Sequence, residues 1–203
     1  MLLKDRLKEY KILLASHSPR RRQLLADCGI EFEVAEGRDA EECYPADMPL
    51  EEVAEYLSVL KSDAYVDILG ARELLITADT VVIAGGEILG KPKDREDALR
   101  MLSLLSDREH KVITGVTLRT QTQRRSFACE SKVRFRALER EEMEYYIDTF
   151  RPYDKAGAYG IQEWIGYVAI QGIEGSFYNV MGLPVQRLYV ELEDFLEILT
   201  NRQ

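Results

Sequence analysis

The apolar run at residues 74–84, LLITADTVVIA, constrains the fold more than any other part of the sequence. It is rich in β-branched residues and predicts a strand that is buried on both faces. One charge, Asp79, lies near its middle. Such a carboxylate can be a buried partner of an arginine, a charge that protects an edge strand, or a functional group. All three interpretations stay open on this run alone.

The residues after this strand predict a turn and then a helix. Gly85-Gly86 is a turn pair, and Asp94 is the expected N-cap of a helix, with Asp97 in the position of a capping-box partner. Lys91 comes just before that helix. Because α/β proteins bind ligands where strands end and helices begin, Asp79 and Lys91 are expected on one edge of a sheet.

The spacing from Gly85 to Gly90 and Lys91 also resembles the first part of a phosphate-binding P-loop. A P-loop next requires Ser or Thr, which binds magnesium, and a backbone N–H at the start of the helix. Pro92 offers neither. A P-loop kinase or GTPase is therefore excluded, while Lys91 stays a candidate point charge for phosphate.

The composition favours one globular domain. The 203 residues are 46% hydrophobic and can bury one good core, and no linker rich in Pro, Gly or Ser divides them. We expect a single domain over residues 1–203, with residues 1–10 as an N-terminal extension; one undivided body and two lobes with the site in the cleft both stay open. The net charge of −9 argues against a protein that coats nucleic acid, because that function needs a basic face.

The cysteine content and the hydropathy of the sequence indicate the cellular compartment of the protein. Cys28, Cys43 and Cys129 form an odd set without C-x-x-C spacing, which predicts a reducing compartment and no zinc site. No stretch approaches the roughly 18 consecutive apolar residues of a membrane span, and the charged first ten residues are unlike a signal peptide. We therefore expect a cytoplasmic protein without a membrane partner.

Three arginines open the first long helix. Residues 11–16 predict a short buried strand, and residues 19–28 predict a helix that begins with proline. Arg20, Arg21 and Arg22 occupy its first turn, where each positive charge opposes the helix dipole at a cost of up to about 1 kcal/mol. A bound anion would reverse that cost, so this turn is a candidate phosphate site, and a solvated basic face is the alternative.

An acidic, irregular stretch follows a short strand predicted at residues 31–35. Glu41 and Glu42 lie in it, and such carboxylates either bind a hard cation or are simply solvated. Residues 50–68 then have a helical period that places Lys61 beside the buried stripe. Taken alone, Lys61 would be a lysine whose stem covers apolar surface.

The rest of the chain alternates strands and helices. The patterns predict an antiparallel strand pair at 110–119 and 124–136, a helix at 139–150, a strand at 164–173, a loop at 175–184 and a closing helix at 184–199. The expected fold is therefore an α/β domain with a mixed β-sheet flanked by helices. Separate stretches supply cations and carboxylates, which is the inventory for phosphoryl chemistry.

Sequence blocks along the chain resemble the Maf family of nucleoside triphosphate pyrophosphatases, first known as septum-formation inhibitors. These blocks are LASHSPRRRQLL from Leu14, TADTVV with ILGKP and ALRMLSLLSDREHKVITGV, and DKAGAYGIQ with GSFYNVMGLPV. They span residues 12–192 in order. The resemblance implies the fold of this family and hydrolysis of a nucleoside triphosphate between its α and β phosphates, with a divalent metal, Mg²⁺ or Mn²⁺.

The resemblance also implies roles for single residues. Asp79 corresponds to the family's proton acceptor and metal ligand, and Glu41 to a further metal ligand, although its neighbour Glu42 could take that role. The phosphate pocket would consist of Ser16, Arg20, Arg21, Lys61 and Lys91. The expected mechanism is in-line attack of water on the α-phosphorus, with the cations stabilising the pyrophosphate leaving group.

The AGAYGIQ block resembles the branch of the family that acts on dTTP and UTP, and modified pyrimidine nucleotides are further candidates. Arg20, Thr80 and Gln162 align with the positions that set base choice. The amide of Gln162 offers a donor and an acceptor, which suits the O4 and N3–H edge of uracil or thymine. Family members are often dimers, so a homodimer is a further expectation. The alternative function is a nucleotide-binding regulator of cell division whose hydrolysis is incidental.

Three positions depart from the family pattern. Gln23 and Arg151 stand where Glu is common, and Asp107 stands where Gly is usual. None of them is the expected acid–base group or a lysine of the pocket. Gln23 is the one expected to affect how Arg20 or Arg21 is oriented.

Overall fold

The computed structural model describes residues 2–38 and 42–200. Its helices, from α1 to α8, are Leu3–Arg6, Pro19–Asp27, Val53–Asp63, Arg95–Leu105, Arg140–Phe150, Trp164–Ala169, Phe177–Met181 and Val185–Thr200. Its strands, from β1 to β7, are Lys11–Ala15, Glu33–Val34, Glu73–Ala84, Glu87–Leu89, Glu109–Arg119, Arg124–Phe135 and Ile170–Glu174.

The strands form one mixed sheet in the described part of the chain. Their order is β2-β1-β3-β5-β6-β7, and β4 pairs with β3 outside this path. Strand β1 runs parallel to both β2 and β3, whereas β4 and β7 are antiparallel to their partners. The expected α/β fold with a mixed sheet and flanking helices is confirmed.

Strand β3 confirms the prediction from the apolar run and continues into a hairpin. Gly85 and Gly86 form its turn, with φ of 60° and 81°, a pair of left-handed conformations that only glycine adopts readily. Strand β1 pairs with β3 as far as Thr77, and β4 pairs with it from Val82. Asp79 therefore lies between these two paired segments.

The described chain divides into two compact units. The first comprises residues up to Asp79 together with Thr114–Cys129 and the segment from Gly182 onward; the second comprises Thr80–Ile113 and Glu130–Met181. One cluster of the first unit buries Tyr65, Leu69 and Leu75. The larger cluster of the second unit is built on helices α4 and α5, and its most deeply buried large side chains include Leu102, Leu105, Phe135 and Tyr146.

Two predictions from sequence were wrong. The strand expected at 164–173 is helix α6 followed by strand β7, and the loop expected at 175–184 contains helix α7. Short apolar runs such as WIGYVAI suit a buried helix as well as a strand, because periodicity cannot separate the two over so few residues. Gly175 and Gly182, with φ of 114° and 115°, lie on either side of helix α7 and do not prevent it from forming.

Several boundaries also differ from the expectation. Helix α3 ends at Asp63 and is followed by turns, strand β2 has only two residues, and strand β4 was not predicted. The N-cap at Asp94 is confirmed, because its Oδ1 accepts the N–H of Asp97 at 2.8 Å. The carboxylate of Asp97 accepts instead from the N–H of Lys93 at 3.1 Å, which lowers its pKa.

Two of the positions that depart from the family pattern have the left-handed conformation, which bears on glycine at position 107 but does not explain the arginine at position 151. Asp107 has φ of 57°, and it stands where the family usually has glycine, the residue that this conformation favours. Aspartate is among the side chains that tolerate it best. Arg151 has φ of 47° and forms the C-cap of α5.

No helix among residues 2–38 and 42–200 is long and apolar enough to cross a membrane.

Candidate active site

The chain reverses the order of its strands around β1. It leaves β1 through α2 to reach β2 on one side, and returns through α3 to reach β3 on the other. In α/β sheets the crevice at such a switch point, beyond the carboxyl ends of the strands, is where ligands bind. Ala15, the last residue of β1, is in register with Thr77. Ser16 and Asp79 therefore lie just beyond this register, and Asp79 lies within β3.

Asp79 breaks the burial of β3. Residues 74–78 and 81–84 are buried, whereas Asp79 and Thr80 are half-buried. The Nζ of Lys61, on helix α3, contacts the Oδ1 of Asp79 and lies 3.0 Å from the Oε1 of Glu42. The Asp79 side chain is only 14% exposed and that of Lys61 22%, so this ion pair is partly shielded from solvent. A lysine ammonium thus lies between two carboxylates at the carboxyl end of the parallel strands.

The guanidinium of Arg21 lies in the same cluster of charges. Its Nε donates to the carbonyl of Gly182 at 2.8 Å and its Nη1 to the carbonyl of Ala78 at 2.9 Å. Burial lowers the pKa of Arg21, and the charge of Arg20 lowers it further, while Asp79 and Glu42 act in the opposite direction. Arg21 therefore fixes the backbone beside Asp79 and also contributes charge there.

Residues at the start of α2 also make hydrogen bonds to Ser16, just after strand β1. The guanidinium of Arg22 donates twice to the carbonyl of Ser16, at 3.2 and 3.1 Å. The Oγ of Ser16 accepts the N–H of Ser18 at 3.2 Å, and Ser18 is the N-cap of α2. Gln23 donates to Asp27 on the same helix at 2.7 Å. Arg22 is thus explained by local structure, and Arg20 and Arg21 stay the arginines expected to bind phosphate.

The remaining predicted residues, Thr80, Lys91 and Gln162, belong to the second unit. Lys91 is exposed and lies between β4 and α4. The carbonyl of its neighbour Gly90 accepts the N–H of Gly157 at 3.1 Å, which joins the Lys91 loop to the segment that carries Gln162. Gly157 has φ of 68°, and a side chain there would lie 3.0 Å from Val82. Glycine is therefore required where these two loops meet.

Gln162 is half-buried, yet its Oε1 is fully buried and has no hydrogen-bond partner among the residues that the structure describes. A buried amide oxygen without a partner is uncommon, and one explanation is a ligand that supplies the donor. The sequence-based prediction of a recognition role for Gln162 is consistent with this oxygen.

A buried network that the sequence patterns did not reveal lies next to Gln162. The Tyr146 hydroxyl donates to the Oε2 of Glu163, and the Lys155 Nζ lies 3.0 Å from its Oε1. Tyr146 is completely buried and Lys155 nearly so. The DKAGAYGIQ block contains Lys155 but gives no signal for its partners, because the contact with α5 depends on tertiary packing.

Carboxylate oxygens are suitable donors for the divalent cation that the resemblance implies. Asp79 and Glu42 provide hard oxygen ligands, and the ammonium of Lys61 between them shows that the position favours positive charge. Glu41, the other expected ligand, lies outside the described residues. Within 2–38 and 42–200 no group of three or more metal-binding side chains occurs. One or two carboxylates completed by substrate phosphates is the usual arrangement for Mg²⁺.

The fold is that of an α/β protein with a cluster of opposite charges at the carboxyl ends of parallel strands. A sequence model of the family described as Maf-like protein matches residues 11–195. The chain belongs to the Maf family.

Curated relatives match this chain over nearly its full length. A protein of Porphyromonas gingivalis named dTTP/UTP pyrophosphatase is 56% identical over 195 residues, covering 95% of this chain and 98% of the relative. Proteins with the same name from Bacteroides thetaiotaomicron and Flavobacterium johnsoniae are 51% and 45% identical, and the matches cover 92% and 93% of this chain and 97% and 96% of those relatives.

A solved structure is also similar, more distantly. It is the crystal structure of a nucleoside-triphosphatase / dITP/XTP pyrophosphatase from Mycobacterium abscessus, which matches 62% of this chain and 74% of its own. The identity is 16% and the TM-score 0.37. A likeness this weak carries no argument about this chain.

Proposed function

We propose that this protein is a nucleoside triphosphate pyrophosphatase that hydrolyses dTTP and UTP to the monophosphate and pyrophosphate. The observation that carries this function is the identity of 45–56%, over nearly the whole chain, with relatives named dTTP/UTP pyrophosphatase. The cluster of Asp79, Lys61 and Glu42 supplies the charges that such a reaction requires.

In this reaction water attacks the α-phosphorus, the bond from that phosphorus to the bridging oxygen breaks, and pyrophosphate leaves. Asp79 is the proton acceptor for the attacking water or a ligand of the metal, and its position at the end of the β1–β3 register suits either role. Lys61, Lys91, Arg20 and Arg21 stabilise the negative charge that develops on the leaving group. Ser16 belongs to the same phosphate pocket.

A divalent cation, Mg²⁺ or Mn²⁺, would be held by Asp79 with Glu41 or Glu42. Such a cation neutralises phosphate oxygens and lowers the pKa of water. Of the two glutamates, Glu42 is the one within the described residues, and its Oε1 already lies 3.0 Å from the Lys61 ammonium. The side chains therefore offer the oxygen ligands that a hard cation prefers.

Base selection falls to Gln162, Thr80 and Arg20. The buried Oε1 of Gln162 has no partner within the described residues, so an N–H of the base can donate to it. The imide N–H of uracil or thymine is such a donor, and cytosine and adenine lack one at the equivalent ring nitrogen. A site that depends on a hydrogen bond rejects ligands without the matching group.

An end-point assay with a panel of nucleoside triphosphates and Mg²⁺ tests the function. Product chromatography separates monophosphate plus pyrophosphate from diphosphate plus phosphate. We expect pyrophosphate release that is strongest with dTTP and UTP. Release mainly with purine nucleotides would contradict the base assignment, and release of orthophosphate would contradict the position of bond cleavage.

The alternative, a nucleotide-binding regulator of cell division, is not favoured by the names of the relatives. The same assay separates the two functions, because a regulator would return the nucleotide intact. An enzyme turns over many equivalents without a partner.

A further inference from the structure

One buried tyrosine side chain holds the segment at residues 154–163, DKAGAYGIQE, in place. The hydroxyl of Tyr146, on helix α5, accepts the N–H of Gly160 at 3.0 Å and donates to the Oε2 of Glu163. Burial and the neighbouring Glu163 raise the pKa of Tyr146, so that it stays a protonated donor. A single side chain thus fixes the segment at two points, on either side of Gln162.

The second oxygen of Glu163 is fixed as well. Its Oε1 lies 3.0 Å from the Nζ of Lys155, which also donates to Asp154 at 2.7 Å. The side chains of Lys155 and Glu163 are only 9% and 19% exposed. A side chain at Gly160 would lie 2.9 Å from the Cδ of Glu163 and 3.1 Å from the Cε of Lys155. Both carboxylate oxygens of Glu163 therefore have partners, and a side chain at position 160 would have no room beside them.

Helix capping does not account for this arrangement. Glu163 occupies the N-cap position of α6, where a carboxylate ordinarily accepts an N–H of the first turn. Its side chain makes no such bond and is directed at Tyr146 and Lys155 instead. Its contacts therefore stabilise the shape of the preceding segment rather than the helix.

Gln162 is the residue that this shape positions. It lies between Glu163 and Ile161, whose side chain is buried. Its Oε1 has no partner among the described residues, and a buried unsatisfied acceptor costs about 1–3 kcal/mol. Such a group persists only where its surroundings hold it, which is the requirement for an acceptor that awaits a ligand donor.

We infer that Glu163, anchored by Tyr146 and Lys155, is a positioning residue that orients the Gln162 amide and thereby sets the preference for bases with an imide N–H. The inference rests on the proposed pyrophosphatase function. Glu163 does not touch the substrate; it acts through Gln162.

The Glu163→Gln variant keeps the size of the side chain and removes its charge. Selectivity is measured as the ratio of kcat/KM for UTP to that for ATP. Because one misplaced hydrogen bond changes discrimination by roughly tenfold, we expect the ratio to fall about tenfold, through a higher KM for UTP and a kcat within about threefold. The matched control is Glu174→Gln on β7, an exposed partner of Lys132 at 3.4 Å, which leaves the ratio unchanged.

A double-mutant cycle separates positioning from a general structural role. If Glu163 acts through Gln162, Glu163→Gln has no further effect on the UTP/ATP ratio once Gln162→Ala is present. Additive effects of the two substitutions would overturn the inference. Tyr146→Phe removes only the hydroxyl and provides a second test if Glu163→Gln does not fold; we expect it to lower the same ratio, and an unchanged ratio would contradict the inference.

Failure of the proposed function is distinct from failure of this inference. A wild-type protein that hydrolyses no nucleoside triphosphate overturns the function, and the inference with it. A wild-type protein that prefers UTP, together with Glu163 and Tyr146 variants that keep that preference, overturns the inference alone.

Discussion

Among the described residues, Lys61 in the first compact unit and Lys155 in the second each lie between two carboxylates. Lys61 contacts Asp79 and lies 3.0 Å from Glu42, and Lys155 lies 3.0 Å from Glu163 and 2.7 Å from Asp154. The charge pattern is the same in both. One carboxylate is exposed in each cluster, Glu42 by 58% and Asp154 by 56%. The clusters differ because Glu163 is also anchored on buried Tyr146, whereas Glu42 lies in a stretch without regular structure.

A lysine between two carboxylates therefore does not define a function by itself. Around Lys155, Glu163 is held through both of its carboxylate oxygens, by Lys155 and by buried Tyr146, whereas Asp154 is 56% exposed. Around Lys61 one partner is exposed, and a cation or a phosphate can replace it at little structural cost. We therefore assign the chemistry to the Lys61 cluster and positioning to the Lys155 cluster.

The largest effect is expected for Asp79→Asn. The amide keeps the shape but can neither accept the proton nor bind a cation as a carboxylate does, so turnover of dTTP should fall at least about a thousandfold. Circular dichroism should show an intact fold. The matched control is Asp67→Asn, an exposed partner of Arg38 in the same unit, with normal turnover. Undiminished turnover in Asp79→Asn would remove this carboxylate from the mechanism.

A smaller loss of activity is expected for Lys61→Met. The substitution removes a positive charge from the phosphate pocket and should lower kcat/KM about a hundredfold. Stability should change by less than about 1 kcal/mol, because Glu42 is exposed and can turn to solvent, and because the charge of Arg21 still acts on the 14% exposed Asp79. Lys8→Met, at an exposed ion pair with Asp5, is the control with unchanged kinetics. A large loss of stability with normal kinetics would make Lys61 a structural residue.

Sequence reasoning singled out Asp79 because its signal is local. A charge inside an apolar strand is visible in the letters around Asp79, and Gly85-Gly86 and Asp94 are turn and cap residues with a direct conformational cause. The fold class followed from the same alternation of patterns. The roles of the lysines and arginines came from the resemblance to a family, since the residues alone left a solvated basic face as an alternative for the arginines and a lysine that covers apolar surface as one for Lys61.

The Lys155 cluster and helices α6 and α7 were beyond that reasoning, whereas the closing helix was predicted. The bond between Tyr146 and Glu163 joins helix α5 to the N-cap residue of α6, and no periodicity encodes it. Helices α6 and α7 are too short for their period to be distinguished from a strand or a loop, so tertiary packing decides them.

The Lys155→Met substitution tests the structural role of the Lys155 cluster. It leaves the 19% exposed Glu163 without its cation, which should destabilise the second unit by about 2 kcal/mol. This is less than the roughly 3–5 kcal/mol of a broken, fully buried pair, because Tyr146 still donates to that carboxylate. Urea unfolding followed by the fluorescence of Trp164, the single tryptophan, measures this directly. Equal stability losses in Lys155→Met and Lys61→Met would erase the distinction between the clusters.

The smallest effect concerns pH and the same segment of the second unit. The Nε2 of His110 is hydrogen-bonded to the hydroxyl of Tyr159 at 2.8 Å, and its ring packs edge-on against Phe135. Burial lowers the pKa of His110 from 6.5 to about 4. The unfolded chain therefore binds this proton first, so stability is fully present above pH 6.5 and is lost as the pH falls toward 4.

At pH 5.5 this loss should amount to about 1 kcal/mol relative to pH 7.5, and it should grow on further acidification. The measurement is urea unfolding by Trp164 fluorescence across this range, compared with His110→Gln, whose side chain does not titrate. The variant should lack this part of the pH dependence while keeping any that comes from carboxylates. An identical pH profile in both proteins would mean that His110 is accessible to protons in the folded state, and the packing around Tyr159 would then be looser than its contacts indicate.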